Sequence, residues 1–122
     1  ILAIAASLKG AKRVDCVDND PQALEASASN AARNQVSDVI RCLGPDDFTA
    51  KEADVVLANI LAGPLIELAP VIGGCARSGA QIVLSGLLEE QVEEVVAAYL
   101  PACRVQEVSS CDGWARVVLL RS

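Results

Sequence analysis

The sequence contains no histidine, and its five cysteines stand singly at positions 16, 42, 75, 103 and 111, without a C-x-x-C pair. Histidine and paired cysteines are the usual ligands of structural zinc, so the composition argues against a metal centre. Cys16 and Cys42 fall in predicted strands and Cys103 at the start of another, where a cysteine is most simply a small buried hydrophobic residue. We therefore assign the cysteines no chemistry and expect neither a metal site nor a disulfide framework.

Aromatic residues are scarce as well, with one Trp, one Tyr and one Phe among 122 residues. Because 52% of the residues are nonetheless apolar, the core must be aliphatic, built from Val, Ile, Leu and Ala. A chain of this length is one domain's worth of sequence and buries roughly two thirds of its unfolded surface. Such a core suits helices packed on a mostly parallel sheet.

Long apolar runs are missing: none approaches the roughly 20 residues of a membrane span, and nothing resembles a signal peptide. We therefore expect a soluble, cytoplasmic protein without membrane contact. The net charge of -6 argues against direct nucleic-acid binding, which needs clustered Lys and Arg, and permits a basic protein partner. The chain begins at Ile1, without methionine and already in helix-like sequence, and we expect it to be a piece of a longer protein.

Short β-rich runs alternate with longer helical stretches along the chain. Strands are predicted near residues 13–18, 38–43, 54–58, 80–85, 104–109 and 114–120, and helices near residues 1–9, 21–33, 64–77 and 89–100. This alternation predicts right-handed crossovers and a parallel sheet with helices on both faces. The last two strands flank Asp112 and Gly113, which suit a two-residue hairpin turn, so the sheet closes on an antiparallel pair. We predict a single α/β domain over residues 1–122.

Ligands of open α/β sheets bind at the carboxyl ends of the strands, which here carry VDND, LGPDDF, ANILAGP and SGLL. Asp20 directly precedes Pro21, a pattern typical of a helix N-cap followed by proline at the first helical position. Asp18 lies two residues earlier, at the tip of the strand. A carboxylate there can accept both hydroxyls of a ribose, and the alternative is a solvated loop acid.

Two further residues at strand ends are candidates for ligand binding. Asn59 is either a turn asparagine that bonds its own backbone or an amide that orients a ligand or an incoming amine. Gly44 permits close approach of the backbone to a flat base, whereas Asp46 and Asp47 are most simply solvated loop charges. The pattern alone indicates a nucleotide-binding Rossmann domain. We expect the loop that contacts the phosphate of the cofactor, or its methionine group in another cofactor class, to lie upstream of Ile1. The pattern does not identify the cofactor, because dinucleotide-binding proteins also carry an acid at the end of the second strand.

The segments VDNDPQALEASASNAARNQVSD and ADVVLANILAGPLIELAP closely resemble the bacterial ribosomal protein L11 methyltransferases of the PrmA type. The similarity covers nearly the whole chain and is dense up to Pro70. It implies a Rossmann-like class I methyltransferase domain that uses S-adenosylmethionine, with its last strand inserted antiparallel. It also implies that Asp18 binds the ribose of the cofactor and that Asn59 contacts its methionine end; we count Gly44 as cofactor-binding with them. The implied substrates are lysine side chains and the N-terminal amine of ribosomal protein L11.

The chain departs from the family in lacking the first strand, the Gly-rich loop and the N-terminal recognition domain. In the family the first strand is expected between the strands that end here at Asp18 and Asn59. Methyl transfer is an in-line displacement whose rate comes mostly from alignment, so we assign no catalytic residue. The alternatives are a class I methyltransferase with another protein or small-molecule substrate, an NAD-dependent Rossmann oxidoreductase, and a non-catalytic module of the same fold. The presence of both Asp18 and Asn59 counts against the last.

Overall fold

The computed structural model describes residues 1–49 and 52–122. The chain divides into two compact units, unit 1 over Ile1–Thr49 and unit 2 over Ala50–Ser122. The elements of unit 1 are α1 (Leu2–Leu8), β1 (Val14–Val17), α2 (Pro21–Arg33) and β2 (Ile40–Leu43). Those of unit 2 are β3 (Ala53–Asn59), α3 (Ala62–Glu67), α4 (Ala69–Cys75), β4 (Ala76–Leu88), α5 (Val92–Tyr99), β5 (Cys103–Cys111) and β6 (Trp114–Arg121).

In unit 1 a parallel pair of strands is joined by a helical crossover. Strand β1 pairs with β2 so that Asp15 lies opposite Arg41, and the Arg41 guanidinium donates to both Asp15 carboxylate oxygens at 3.2 and 3.3 Å. Helix α2 begins where it was predicted to, because the Asp20 carboxylate accepts the backbone N–H of Gln22 at 2.9 Å and Pro21 occupies the first turn. The prediction that Asp20 is a helix cap is confirmed.

In unit 2 four strands form a mixed sheet in the order β3-β4-β6-β5. Strand β3 runs parallel to β4, whereas β6 is antiparallel to both of its neighbours. Between β5 and β6, Asp112 and Gly113 have φ values of 53° and 82°. Positive φ at both central residues is what a two-residue hairpin turn requires, so the predicted antiparallel closure is confirmed.

The core of unit 2 is aliphatic, as the composition predicts. Its largest fully buried side chains are Leu65, Ile82, Leu84, Leu87, Val95, Val117 and Leu119. Helix α5 contributes an apolar stripe to this core: Val95 and Tyr99 are buried, and the partly buried Val92 and Val96 pack against the same cluster.

The structure corrects three element boundaries. The helix predicted over 64–77 is two helices, α3 and α4, since Pro70 has no N–H to continue the hydrogen-bond ladder back to Ile66. Strand β4 is longer than residues 80–85 and is irregular between Leu84 and Leu87. Helix α5 begins at Val92, after a short 3-10 turn over Glu89–Gln91.

Candidate functional site

Asp18 directly follows β1 and is held by two hydrogen bonds. Its backbone N–H donates to the carbonyl of Leu43 at 3.2 Å, which ties it to the end of β2. Its carboxylate oxygen Oδ1 accepts the N–H of Asp20 at 2.9 Å. The half-buried side chain is thus fixed by the turn that leads into α2, while Oδ2 receives no hydrogen bond from the described residues. A ligand hydroxyl can therefore reach the carboxylate.

Gly44 follows β2 and lies next to Asp18 through the bond to Leu43. A Cβ built on Gly44 would meet only Asp47 Oδ2 within 4 Å, at 3.8 Å, which is an ordinary contact. Packing within the chain does not demand glycine at this position. The structure thus brings two of the predicted cofactor residues, Asp18 and Gly44, to the same end of the β1–β2 pair.

Asn59 is the last residue of β3 and belongs to unit 2. Its side chain is exposed, its register partner on β4 is Ser85, and the next residue, Ile60, donates its N–H to the Ser85 carbonyl at 3.2 Å. The exposed amide carries one acceptor and two donor hydrogens at a strand end, as the ligand-binding interpretation requires.

Gly86 supports Asn59 and was missed as a candidate in the sequence. Its φ is +88°, and a Cβ there would lie 2.5 Å from the carbonyl oxygen of Ile60 and 2.9 Å from Oδ1 of Asn59. No other residue fits without displacing the end of β3. The available signal was a glycine directly after the predicted strand, in the segment SGLL, since glycine often marks a close backbone approach.

A shallow depression of about 480 Å³ lies elsewhere, on the sheet of unit 2. It is lined by Gln81, Val83, Gln106, Glu107, Arg116 and Val118. Its polar groups already pair with one another, Gln81 with Gln106 at 2.9 Å and Arg116 with Glu107 at 3.7 Å. Since none of the predicted site residues lines it, we do not assign the ligand there.

Neither a metal-binding cluster nor a helix able to span a membrane occurs in residues 1–49 and 52–122. Within these ranges no three Cys, Asp or Glu side chains are grouped so that they could hold a metal ion. No helix in the same part of the chain has the length and apolar character needed to cross a membrane.

Residues 1–122 match the protein family described as ribosomal protein L11 methyltransferase (PrmA). The chain belongs to this family. A ribosomal protein L11 methyltransferase of Pseudomonas fluorescens strain Pf-5 is 49% identical over 118 residues, which cover 96% of this chain and 40% of that protein. One of Thiobacillus denitrificans is also 49% identical over 118 residues, 97% of this chain and 39% of the relative. The chain thus spans about 40% of the length of these PrmA relatives.

Comparison with solved structures agrees with this family assignment. The crystal structure of a ribosomal protein L11 methylase from Lactobacillus delbrueckii subsp. bulgaricus superposes with a TM-score of 0.87 at 26% identity, covering 99% of this chain and 64% of that one. An RNA methyltransferase from Salinibacter ruber, in complex with S-adenosyl-L-homocysteine, has a TM-score of 0.75 at 15% identity, covering 99% and 74%. The second likeness concerns the fold alone. The predicted Rossmann-like methyltransferase fold and the PrmA resemblance are both confirmed.

Proposed function

We propose that this PrmA chain is the catalytic part of an S-adenosylmethionine-dependent protein methyltransferase whose substrate is ribosomal protein L11. The observation that carries the proposal is the family match over all 122 residues. Relatives of 47–49% identity bear that name. We propose lysine side chains and the N-terminal amine as the acceptors, following the resemblance stated above. A ribosomal protein as substrate also implies a cytoplasmic enzyme.

Asp18 is the residue that we assign to the ribose of the cofactor. Its carboxylate is oriented by the Asp20 N–H on Oδ1, so Oδ2 is available to hydroxyl donors without rearrangement of the turn. Hydrogen bonds to a charged acceptor contribute about 1.5–3 kcal/mol. Gly44, beside it, presents no side chain and leaves room for a flat base. These features fit the nucleoside part of S-adenosylmethionine.

Asn59 is the residue that we assign to the methionine end of the cofactor. Its exposed amide can accept a hydrogen bond from an ammonium group and donate one to a carboxylate. The absence of a side chain at Gly86 lets Asn59 Oδ1 keep its position at the end of β3. Both properties support a binding role in unit 2.

S-adenosylmethionine supplies a methyl group on a sulfonium, and a neutral amine attacks it in line with the carbon–sulfur bond. The proposed roles of Asp18, Gly44 and Asn59 are binding and orientation, and alignment of this kind supplies most of the rate. A lysine amine, whose ordinary pKa is about 10.4, must lose its proton before it attacks. We name no residue of this chain as the base that accepts this proton.

The segment NILA, which starts at Asn59, bears on the type of acceptor. Methyltransferases that act on planar amide or base nitrogens tend to carry N-P-P-Y at this strand end, where the aromatic ring stacks on the planar group. NILA has neither the prolines nor the ring. It therefore supports an aliphatic amine as the acceptor.

We further propose that residues 1–122 form part of one methyltransferase domain that other residues of a longer protein complete. The matched segment makes up 40% of the Pseudomonas fluorescens relative. That relative is therefore about two and a half times as long as the segment. Among the described residues, β1 pairs only with β2, and β3 only with β4. Each of these strands thus has a second edge whose backbone groups would be satisfied by a further strand.

A calorimetric titration of S-adenosylhomocysteine into the full-length protein tests the cofactor assignment, with NAD as the control ligand. We expect micromolar binding of the former alone. Asp18→Ala should weaken binding by about 1–3 kcal/mol, whereas the matched loop variant Asp46→Ala should leave it unchanged. Binding of NAD instead, or equal losses in both variants, would contradict the assignment.

The substrate is tested separately, by incubating the full-length protein with ribosomal protein L11 and labelled S-adenosylmethionine. We expect label on lysine side chains and on the N-terminal amine, located by peptide mass spectrometry. If the cofactor binds and ribosomal protein L11 stays unlabelled, the alternative of a methyltransferase with another substrate is favoured.

A further inference from the structure

Cys16 on β1 and Cys42 on β2 are register partners in the parallel strand pair of unit 1. Side chains of register partners point to the same face, and neighbouring strands lie about 4.8 Å apart. This spacing falls within the range of about 4.4–6.8 Å between the Cα atoms of disulfide-bonded cysteines. Both residues are only half-buried, so a small oxidant can reach them. We propose that Cys16 and Cys42 form a reversible disulfide when the protein meets a hydroperoxide.

The electrostatics of the two thiols agree with their pairing in register. Burial raises the pKa of the Cys42 thiol, and the charge and hydrogen bonding of Cys16 raise it further. By contrast, the register partner of Cys103 is Arg121, and that of Cys111 is Trp114. The pairing of two cysteines is therefore particular to β1 and β2 among the strands that the structure describes.

A hydroperoxide is the oxidant in this reaction, which proceeds in two steps. One thiolate attacks the peroxide oxygen, which breaks the O–O bond, releases water or an alcohol and leaves a sulfenic acid. The second thiolate attacks the sulfenic sulfur, forms the S–S bond and expels hydroxide, which takes up a proton to become water. Two thiols are oxidised and one peroxide is reduced. A thiol such as dithiothreitol reverses the reaction by exchange.

The disulfide would act on the candidate site because each cysteine lies within two residues of Asp18 or of the carbonyl that holds it. Cys16 precedes Asp18 by two residues, and Cys42 precedes Leu43, whose carbonyl accepts the Asp18 N–H. Because side chains of register partners stand roughly parallel, the two Cβ atoms are about as far apart as the strands, about 4.8 Å. A disulfide needs a Cβ–Cβ distance of about 3.8 Å, so its formation must shift the strand ends. A bond made under such strain is also more easily reduced. The consequence for cofactor binding rests on the proposed function.

The modification itself is tested by peptide mapping of the full-length protein after treatment with hydrogen peroxide at mildly alkaline pH, where more thiol is ionised. We expect a linked pair of peptides that contain Cys16 and Cys42, lighter by two hydrogen atoms than the two thiols and separated by dithiothreitol. Cys42→Ser should abolish this species, and the exposed hairpin variant Cys111→Ser should not. Recovery of Cys16 and Cys42 as alkylated thiols while Cys111 is oxidised would overturn the proposal.

The functional consequence is tested by titrating S-adenosylhomocysteine into reduced and oxidised protein. We expect about fivefold weaker binding after oxidation of the wild type and no change in Cys42→Ser, since a shifted Asp18 loses part of a charge-assisted hydrogen bond. Equal affinity in both states would overturn the effect on the site. If neither state binds the ligand, the proposed function fails, and the peptide map still decides whether the disulfide forms.

Discussion

Gly86 shows how a residue without a side chain positions a candidate ligand residue. The left-handed φ of +88° aims its Cα hydrogen at the end of β3, where a methyl group would lie 2.5 Å from the Ile60 carbonyl oxygen and 2.9 Å from Asn59 Oδ1. Any other residue at position 86 would therefore suffer both backbone strain and a steric clash. Asn59 keeps its place at the strand end because Gly86 allows the two chain segments to approach.

Replacing Gly86 by alanine should lower the free energy of unfolding by about 2 kcal/mol or more, through the unfavourable φ and the clash. Urea denaturation followed by circular dichroism measures this change. Gly74→Ala is the matched control, since a Cβ there has nothing within 4 Å and lies in helix α4, where alanine is favoured by about 1 kcal/mol. Equal destabilisation by both substitutions would contradict the role of Gly86.

At the scale of elements, Tyr99 joins α5 to α3. Its hydroxyl donates to the carbonyl of Leu65 at 2.8 Å, and the side chain is buried in the core cluster. Burial, followed by the nearby Cys103, raises the pKa of Tyr99 to about 12. The protonated phenol is therefore the form that the folded state retains, and its hydrogen bond holds the two helices together.

The raised pKa predicts a loss of stability at alkaline pH. The unfolded chain releases the phenol proton near its ordinary pKa of about 10. The stabilisation is thus complete below pH 10 and is lost as the pH rises towards 12. Because Tyr99 is the only tyrosine, Tyr99→Phe isolates the contribution. We expect this variant to be about 1 kcal/mol less stable near neutral pH and to lose less stability than the wild type on going to higher pH.

Urea denaturation of both proteins, first near neutral pH and then midway through this alkaline interval, measures the difference. Other groups that titrate at alkaline pH affect the wild type and Tyr99→Phe alike, so the comparison cancels them. An equal decline in the two proteins would show that Tyr99 is not the group responsible.

At the scale of the whole molecule, the two units differ in the apolar side chains that they bury. Unit 1 buries Ala31 and Val36, whereas every large side chain that is fully buried in the described residues belongs to unit 2. Burial of Val, Leu or Ile side chains contributes about 1.5–3 kcal/mol each, so unit 2 has the larger source of stability. Unit 1 depends more on its strand hydrogen bonds, because the Asp15–Arg41 pair, whose guanidinium is half-exposed, contributes little.

This difference predicts unequal local stability along the 122-residue chain. Native-state hydrogen exchange should show the slowest amides in β4 and β6, at the centre of the unit 2 sheet, and faster exchange in β1 and β2. Mass spectrometry of peptides from each strand measures the rates. Similar protection in all four strands would mean that unit 1 is stabilised by interactions other than its own core.

The sequence by itself determined the features that depend on neighbouring residues. Asp20 before Pro21 set the start of α2, Asp112 and Gly113 set the hairpin turn, and the motifs around Asp18 and Asn59 indicated the family. These patterns act over a few residues, where capping and turn preferences are strong enough to decide the conformation.

Only the tertiary structure decided the features that join distant parts of the chain. The register that sets Cys16 beside Cys42, the contact of Gly86 with Ile60, and the bond from Tyr99 to Leu65 each connect residues 26 or more positions apart. Strand register and core packing arise from many weak contacts made together, so no local pattern specifies them. The identities of Asp18 and Asn59 could thus be read from the chain, whereas the distant residues that hold them in place, Leu43 and Gly86, could not.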